Sequence, residues 1–586
     1  YADDPQVSPD GSRVAYVRTS MDVMTDRARR SIWVVDMDGD NHRPMVSGAG
    51  NFSSPRWSPD GTRLAYLSNT EGTTQLFVQW LTAGETAKVT TLAQSPRSIV
   101  WSPDGKYIAF TRFVPEPAPT LADMPPKPEG AKWAEPATVV DRMTFRSDGD
   151  GYLPTGNQQV FFVPAEGGTP RQMTSGKYPV STSITWMPDS ESIIFASNRS
   201  DKPEYSPRQS DLYSVSLTTG VLTQLTDHAG AEGNPAVSPD GRFLAYAATA
   251  GIRKGYNGAE LVIKDFKTGE TRTLTDTLDR SIADIQWSDN SKRIWIGYDD
   301  LGVGRAAEVD LNGKLRKAEI VIGGTAIGRP YTSGAFSVGG DARLAFTQGR
   351  DDRPADIAVF RPGKAPLQLT DLNSDLMGQR QMARVERLVW PSSHDELMIE
   401  GWVMKPPGFD PSRQYPMILE IHGGPHAAYG PNYSTEAQLY AAAGYVVFYT
   451  NPRGSTSYGD TFANEIDLAY PGYDYDDLMS GVDALIEKGF VDPTQLFVTG
   501  GSGGGVLTAW IVGKTDRFRA AVVAKPVINW ASFVLTADVN YYFATTWFDA
   551  PPWEDYESYW RRSPLSLVGN VSTPTMLLTG ENDYRT

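Results

Sequence analysis

Short apolar runs broken by a recurring polar turn pattern the first two-thirds of the chain. Val7-Ser8-Pro9-Asp10-Gly11 leads into Arg13-Val14-Ala15-Tyr16, and Trp57-Ser58-Pro59-Asp60-Gly61 into Arg63-Leu64-Ala65-Tyr66. Trp101-Ser102-Pro103-Asp104-Gly105 likewise leads into Tyr107-Ile108-Ala109-Phe110. Trp186-Met187-Pro188-Asp189, Val237-Ser238-Pro239-Asp240-Gly241 and Trp287-Ser288-Asp289-Asn290 continue the series, and Phe336-Ser337-Val338-Gly339-Gly340 is a degenerate seventh copy. Pro at the second turn position presets φ, and Gly accepts the left-handed backbone the turn needs. Each turn is therefore predicted to join two strands. Later runs such as Ser31-Ile32-Trp33-Val34-Val35 and Gln75-Leu76-Phe77-Val78 supply further strands. Four short strands repeating about every 40–50 residues describe one propeller blade. Seven copies followed by a differently patterned region predict a closed seven-bladed β-propeller over residues 1–372, because closure leaves only short, protected edges. A longer interval between Pro103 and Pro188 holds an insertion with Val114-Pro115-Glu116-Pro117-Ala118-Pro119 and Met124-Pro125-Pro126-Lys127-Pro128. Such proline density excludes a central strand or helix, leaving a projecting loop or a contact with the next unit.

From about residue 373 the period changes. Pro416 to Ile421 reads as a buried strand, Glu436 to Ala443 as a helix, and Tyr445 to Tyr449 as another strand. An amphipathic helix is predicted over 475–488, a strand over Gln495-Leu496-Phe497-Val498, a helix from Val506 to Val512 and a strand over 575–580. Strand and helix in alternation predict a doubly wound, mostly parallel sheet covered on both faces over residues 373–586.

The densest chemical signal is Thr499-Gly500-Gly501-Ser502-Gly503-Gly504-Gly505. Gly-x-Ser-x-Gly between a strand and a helix is the nucleophile elbow of an α/β-hydrolase, where a strained turn points the Ser502 hydroxyl out of the sheet. The flanking glycines are needed because a Cβ there would collide with the neighbouring strand and helix. In such enzymes the acid and the histidine follow the serine in that order. Glu581-Asn582-Asp583 follows the 575–580 strand, which makes Asp583 the candidate acid. The five histidines, His42, His228, His394, His422 and His426, all precede Ser502. Either an upstream histidine serves or the chain continues beyond Thr586; the second is expected, because a sheet ending at 575–580 would expose an apolar edge. The start reads as incomplete too, since Tyr1 to Pro5 run straight into a repeat unit. His422-Gly423-Gly424-Pro425 follows the 416–421 strand, the loop that lends one backbone N–H to an oxyanion hole; the other N–H belongs to Gly503. His422 itself is expected to brace that loop.

Composition narrows the partners. With 586 residues, 40% of them hydrophobic, the chain can bury two large cores. A net charge of −16 argues against a nucleic-acid or anionic-membrane surface. No apolar run approaches the roughly 20 residues that span a bilayer. The absence of cysteine excludes disulfides and thiolate metal sites and fits a soluble protein of the cytoplasm or the periplasm. The predicted chemistry requires no cofactor and no metal.

Taken together, His422-Gly423-Gly424-Pro425, Asn451-Pro452-Arg453-Gly454-Ser455, Gly500 to Gly505 and Gly580-Glu581-Asn582-Asp583-Tyr584-Arg585 resemble the prolyl oligopeptidase family of serine peptidases, in particular its acylaminoacyl-peptidase branch. The resemblance spans essentially the whole chain. It implies a nucleophile at Ser502, an acid at Asp583, an oxyanion glycine at Gly424, a substrate-site arginine at Arg585, and a histidine beyond Thr586. It implies short peptide substrates bearing acylated or free amino-terminal residues, a propeller that excludes folded proteins, and is compatible with a homo-oligomer. Two departures stand out. Gly503 occupies a position where the family often has Tyr, and the insertion lacks the Glu-Glu pair with which dipeptidyl-peptidases hold a free amino terminus. The resemblance also leaves open a dipeptidyl-peptidase, an esterase using the same triad, and an inactive binding protein. Asp141-Arg142 to Tyr152, with Arg146 and Asp148, are read as ordinary blade-turn charges in preference to residues lining the opening.

Overall fold

The computed structural model describes residues 1–122, 125–134, 137–251, 255–340 and 343–586. Among these, seven four-stranded antiparallel sheets follow one another along the chain, each built from consecutive strands except the third, which is interrupted by a separate hairpin. The second is typical: Phe52–Trp57, Arg63–Ser68, Gln75–Trp80 and Thr86–Lys88 pair in sequence order. The repeat residues each have a local task. Ser58 Oγ donates to Asp60 at 2.5 Å and accepts the Arg63 N–H at 2.9 Å, which closes the turn. Gly61 stands at φ +69°, the left-handed backbone that favours glycine. The Trp that opens the repeat links neighbouring blades: Trp57 Nε1 donates to Gln6 O, Trp101 to Arg56 O, Trp186 to Val100 O and Trp287 to Ala236 O, all within 2.9–3.1 Å.

The last blade packs against the first. Ala2 N–H donates to Ala355 O and Val7 N–H to Ser337 Oγ, while Val14, Tyr16, Val35, Ile357 and Val359 share one apolar cluster. The ring is thus closed by side-chain packing and a few hydrogen bonds, with no strand exchanged between blades.

The insertion lies inside the third blade, between Tyr107–Pro115 and Gly156–Pro164. Pro115 does end an inner strand, contrary to the expectation from proline density. It pairs with Gly156 beyond the reach of the first strand, whose last partner is Arg112, so its missing N–H breaks no ladder bond there. Met124 lies outside the described residues. Residues 141–152 are not a blade turn: they form their own hairpin, Arg146–Ser147 against Gly151–Tyr152.

A seven-stranded sheet follows. We number its strands β1 (Val385–Pro391), β2 (Met398–Met404), β3 (Tyr415–Ile421), β4 (Val446–Asn451), β5 (Val491–Gly501), β6 (Ala520–Ala524) and β7 (Thr575–Leu578). Their spatial order is 1-2-4-3-5-6-7; β2 runs antiparallel to both its neighbours, β1 and β4, and the other pairs are parallel. β3 and β5 lie side by side with Ile421 opposite Gly500, so the residues after both strands emerge at one sheet edge. In open α/β sheets this carboxyl edge is where ligands bind. Met576, Leu577 and Leu578 on the outer strand β7 are more than half exposed. Among the described residues, no helix is long and apolar enough to cross a membrane, and no group of three or more His, Asp or Glu is placed to hold a metal ion.

Candidate active site

β5 turns directly into the helix Gly503–Lys514, and Ser502 stands at the junction with φ +56° and ψ −119°. This is strained backbone for a residue with a Cβ, of the kind that persists where surrounding structure over-determines it. The glycines provide that surrounding. A Cβ on Gly504 would lie 2.1 Å from Ile421 O, one on Gly500 2.5 Å from Gly504 O, and one on Gly505 2.4 Å from Ala524 O. The helix can therefore pack onto β3, β5 and β6 at backbone contact, and Val506 N–H closes its first turn onto Ser502 O at 2.9 Å. The Gly503 N–H opens the helix and so has no intrahelical acceptor.

The His422–Pro425 loop faces this elbow. Gly424 is exposed at φ +125°, and among the described residues its N–H has no hydrogen-bond acceptor. The position of a Gly503 Cβ would be 3.1 Å from Gly424 N, which puts the two main chains against each other. Ser502, Gly423 and Gly424 line a cavity of about 790 Å³ with Gly501, Lys525, Leu578 and Gly580. Arg329 and Tyr331, from the connection between the sixth and seventh blades, complete its wall.

Both upstream histidines near the site are engaged elsewhere. His422 is buried, with Nδ1 at 2.7 Å from Gly423 O and Nε2 at 3.0 Å from Ser455 Oγ. A carbonyl only accepts, so Nδ1 carries the proton. Burial pushes the His422 pKa down to about 4, against the opposing hydrogen bond to Gly423, and keeps the ring neutral. His426 places Nδ1 3.0 Å from Gly454 O, and burial lowers its pKa as well.

Asp583 follows β7 in a half-buried loop. Its Oδ1 accepts the N–H groups of Arg585 and Thr586 at 3.0 and 2.9 Å, and its Oδ2 the Thr586 hydroxyl at 3.1 Å. Asp583 and Arg585 line a second cavity with Arg146, Phe533 and Thr536, while Gly580 of the same loop reaches the Ser502 cavity. Arg585 is not a free cation: its guanidinium clasps the buried Asp538 carboxylate through Nε and through Nη2 at 2.9 Å.

Several residues of the site carry no sequence motif. The 141–152 hairpin reaches the acid loop, where Asp148 N–H donates to Asp538 Oδ2 at 2.8 Å and Asp148 Oδ1 accepts the Tyr584 N–H at 3.2 Å. The Arg146 guanidinium lies 5.1 Å over the Tyr584 ring and donates to Thr536 O. On the opposite side Arg329 pairs with Glu436 at 2.8 Å and with buried Glu420 at 3.4 Å. Tyr429 donates to Glu420 at 2.8 Å. Burial raises the Glu420 pKa to about 7, although Arg329 and Tyr429 pull the other way. The only sequence trace of the Arg329 region is a long strand-free connection between the Leu315–Lys317 strand and Phe336.

Comparison with known proteins places this arrangement among peptidases. A family model described as prolyl oligopeptidase family matches residues 431–586; a TolB β-propeller domain matches 2–116 and a dipeptidyl peptidase IV N-terminal region matches 131–249. The uncharacterized peptidase YuxL of Bacillus subtilis is 33% identical over 99% of this chain and 89% of its own length. Dipeptidyl-peptidase 5 of Porphyromonas gingivalis is 27% identical over 99% of this chain and 85% of its own. Among solved structures, an acylaminoacyl peptidase bound to Z-Gly-Gly-Phe-chloromethyl ketone superposes with a TM-score of 0.81 at 23% identity, covering 100% of this chain and 87% of that one. Uncomplexed acylaminoacyl peptidase of Pyrococcus horikoshii gives 0.79 at 22%, with coverages of 100% and 87%. At those identities the structural likeness speaks for the fold.

Proposed function

Because the chain belongs to the prolyl oligopeptidase family of serine peptidases, we propose that Ser502 is its nucleophile and that it releases acylated or free amino-terminal residues from short peptides. The observation that carries this reading is the Ser502 elbow, where the Gly424 and Gly503 N–H groups, without acceptors among the described residues, border a cavity walled partly by the propeller. The catalytic unit is taken as residues 373–586 and the propeller as 1–372.

In this reading Ser502 Oγ adds to the scissile carbonyl and the developing oxyanion lies between the N–H groups of Gly424 and Gly503. Loss of one such donor typically costs about 3–4 kcal/mol of transition-state stabilisation. An imidazole takes the serine proton and delivers it to the leaving amine; Asp583 orients that imidazole, and water then hydrolyses the acyl-enzyme. The ring contacts of His422 with Gly423 O and Ser455 Oγ, and of His426 with Gly454 O, turn both nearby histidines to bracing the oxyanion loop. Arg585, paired with Asp538, is assigned to holding the acid loop. Arg329 and Tyr331 narrow access to Ser502, which supports short, flexible substrates over folded ones.

A dipeptidyl-peptidase is the second reading, favoured by the relative named dipeptidyl-peptidase 5. One set of assays tests both. A fluorophosphonate should label full-length protein at Ser502, and Ser502→Ala should lose labelling and turnover together; labelling elsewhere with activity retained would refute the assignment. kcat/KM on acetyl-aminoacyl and aminoacyl p-nitroanilides should equal or exceed that on dipeptidyl ones. A strong dipeptidyl preference lost on blocking the amine would establish the second reading.

A further inference from the structure

The connection between blades six and seven leaves the propeller and lies along the loop that follows His422. Gly430 N–H donates to Pro330 O at 2.8 Å, Thr332 N–H to Ala428 O at 3.0 Å, and Thr435 N–H to Ile327 O at 2.8 Å. Ser434, the N-cap of the helix Thr435–Ala442, donates its hydroxyl to Gly328 O at 3.0 Å. The Tyr331 ring packs on Tyr429 with centroids 4.7 Å apart. At the tip of this contact Tyr331 Oη accepts the Gly423 N–H at 2.8 Å.

That single bond acts on a loop with little rigidity of its own, since two consecutive glycines have the widest backbone freedom. Peptide units are planar, so fixing one polar atom aims the other. Tyr331 fixes the 422–423 unit through its N–H. His422 Nδ1 fixes the 423–424 unit through the Gly423 carbonyl, and this second unit carries the Gly424 N–H. Tyr331 also occupies the Gly423 N–H, so that of the two glycine N–H groups it is the Gly424 one that has no acceptor among the described residues. The two anchors come from different parts of the chain, one beside the loop and one from the propeller. The location a Gly423 Cβ would take is 3.3 Å from Tyr331 Oη and 3.4 Å from Ser502 Cβ, so the tyrosine hydroxyl and the nucleophile flank the same glycine.

We propose that Tyr331 is a positioning residue for the reaction: from the propeller it holds the Gly423 N–H and thereby aims the Gly424 N–H at the oxyanion formed on Ser502. This rests on the reading that gives Gly424 and Gly503 the oxyanion. The role is orientation, so its loss should appear in kcat and in transition-state affinity rather than in substrate binding.

The test uses full-length enzyme and an acetyl-aminoacyl p-nitroanilide. Tyr331→Phe keeps the ring contact with Tyr429 and removes the acceptor. kcat should fall about 10- to 100-fold, the scale of a misaligned donor, with KM changed by less than about twofold. Binding of a peptide aldehyde, whose tetrahedral adduct uses the same donors, should weaken in parallel. Tyr458→Phe is the control. It removes a hydroxyl that donates to Glu400 at 2.6 Å and touches neither Gly423 nor Tyr331, and should keep kcat within about threefold of wild type. Equal losses in both variants would make the effect one of packing and overturn the proposal, as would a Tyr331→Phe enzyme with wild-type kcat and aldehyde affinity. Should Tyr331→Phe not fold, Tyr331→His, which retains an aromatic ring with an acceptor nitrogen, must keep more activity than Tyr331→Leu; equal activity overturns the proposal. Failure of the wild type to be labelled at Ser502 would instead sink the underlying reading and this inference with it.

Discussion

Gly503 and Gly504 are adjacent in the first turn of one helix, and alanine at either position makes a sharp comparison. Both substitutions gain helix propensity of about 1 kcal/mol. They differ in what the new Cβ meets. At Gly504 it would lie 2.1 Å from Ile421 O and 2.8 Å from His422 O, both main-chain atoms of β3 and its loop. An ordinary contact needs more than 1 Å of extra room, and β3 cannot yield because it is hydrogen-bonded between β4 and β5. Overpacking of this kind costs about 1–3 kcal/mol or more, and rigid main chain on both sides puts Gly504→Ala at or above the upper end. After the propensity gain the net loss is about 2 kcal/mol, or ~4–8 °C in the melting of a unit of some 200 residues. The helix must also shift and carry Ser502 with it; a displacement near 1 Å costs about 100-fold in rate. At Gly503 the Cβ would meet Gly424 C, N and O at 3.1 Å, a shortfall of a few tenths against an exposed loop that can move. Gly503→Ala keeps its N–H and should melt within about 2 °C of wild type, with kcat/KM reduced less than tenfold. Scanning calorimetry and p-nitroanilide kinetics on the two variants decide it. A Gly504→Ala protein with the melting temperature of wild type, or Gly503→Ala as the more damaging change, would refute the contact argument.

Two further outcomes follow from buried charge. Arg453 is 2% exposed and clasps the fully buried Asp477 as well as Asp395, so Arg453→Met strands a carboxylate and should cost about 3–5 kcal/mol by denaturant titration, while adding Asp477→Leu should recover most of it. Glu420, raised by burial from 4.5 to about 7, contributes stability that is fully present below about pH 4.5 and lost as pH rises through 7. The melting temperature of Glu420→Gln relative to wild type should therefore climb between pH 5 and 8; a constant difference would contradict the shift.

What was legible in the sequence was local. Ser58, Asp60 and Gly61 close a turn through contacts within five residues, and the same residues recur from blade to blade, so the turn and its count could be read directly. The elbow was legible because glycines cluster around one serine, and at Gly500, Gly504 and Gly505 the reason is backbone contact with the turn itself, Ile421 and Ala524. The β1–β2 hairpin was missed. β1 sets the charged pair Glu386-Arg387 beside a short run, Leu388 to Trp390, and is largely exposed, so neither a strict alternation nor a long apolar run marks it. The Asp538 carboxylate that pairs with Arg585 lies 47 positions away, and nothing in the sequence neighbourhood of Arg585 announces it.

The contacts between the two units were the least legible, and their chemistry explains why. Tyr331 reaches Gly423 across 92 positions and Asp148 reaches Tyr584 across 436, each ending on a main-chain N–H. Every residue but proline offers that group, so neither pairing constrains the identity of the partner and neither has a period to detect. The hairpin at 141–152 meets the acid loop and the arm at 327–332 meets the oxyanion loop, so two unrelated segments of the propeller converge on the two loops that border the Ser502 cavity. One is a glycine loop and the other a loop beyond an outer strand. Neither loop is held by sheet hydrogen bonds alone, and the propeller supplies part of the geometry on which Ser502 depends.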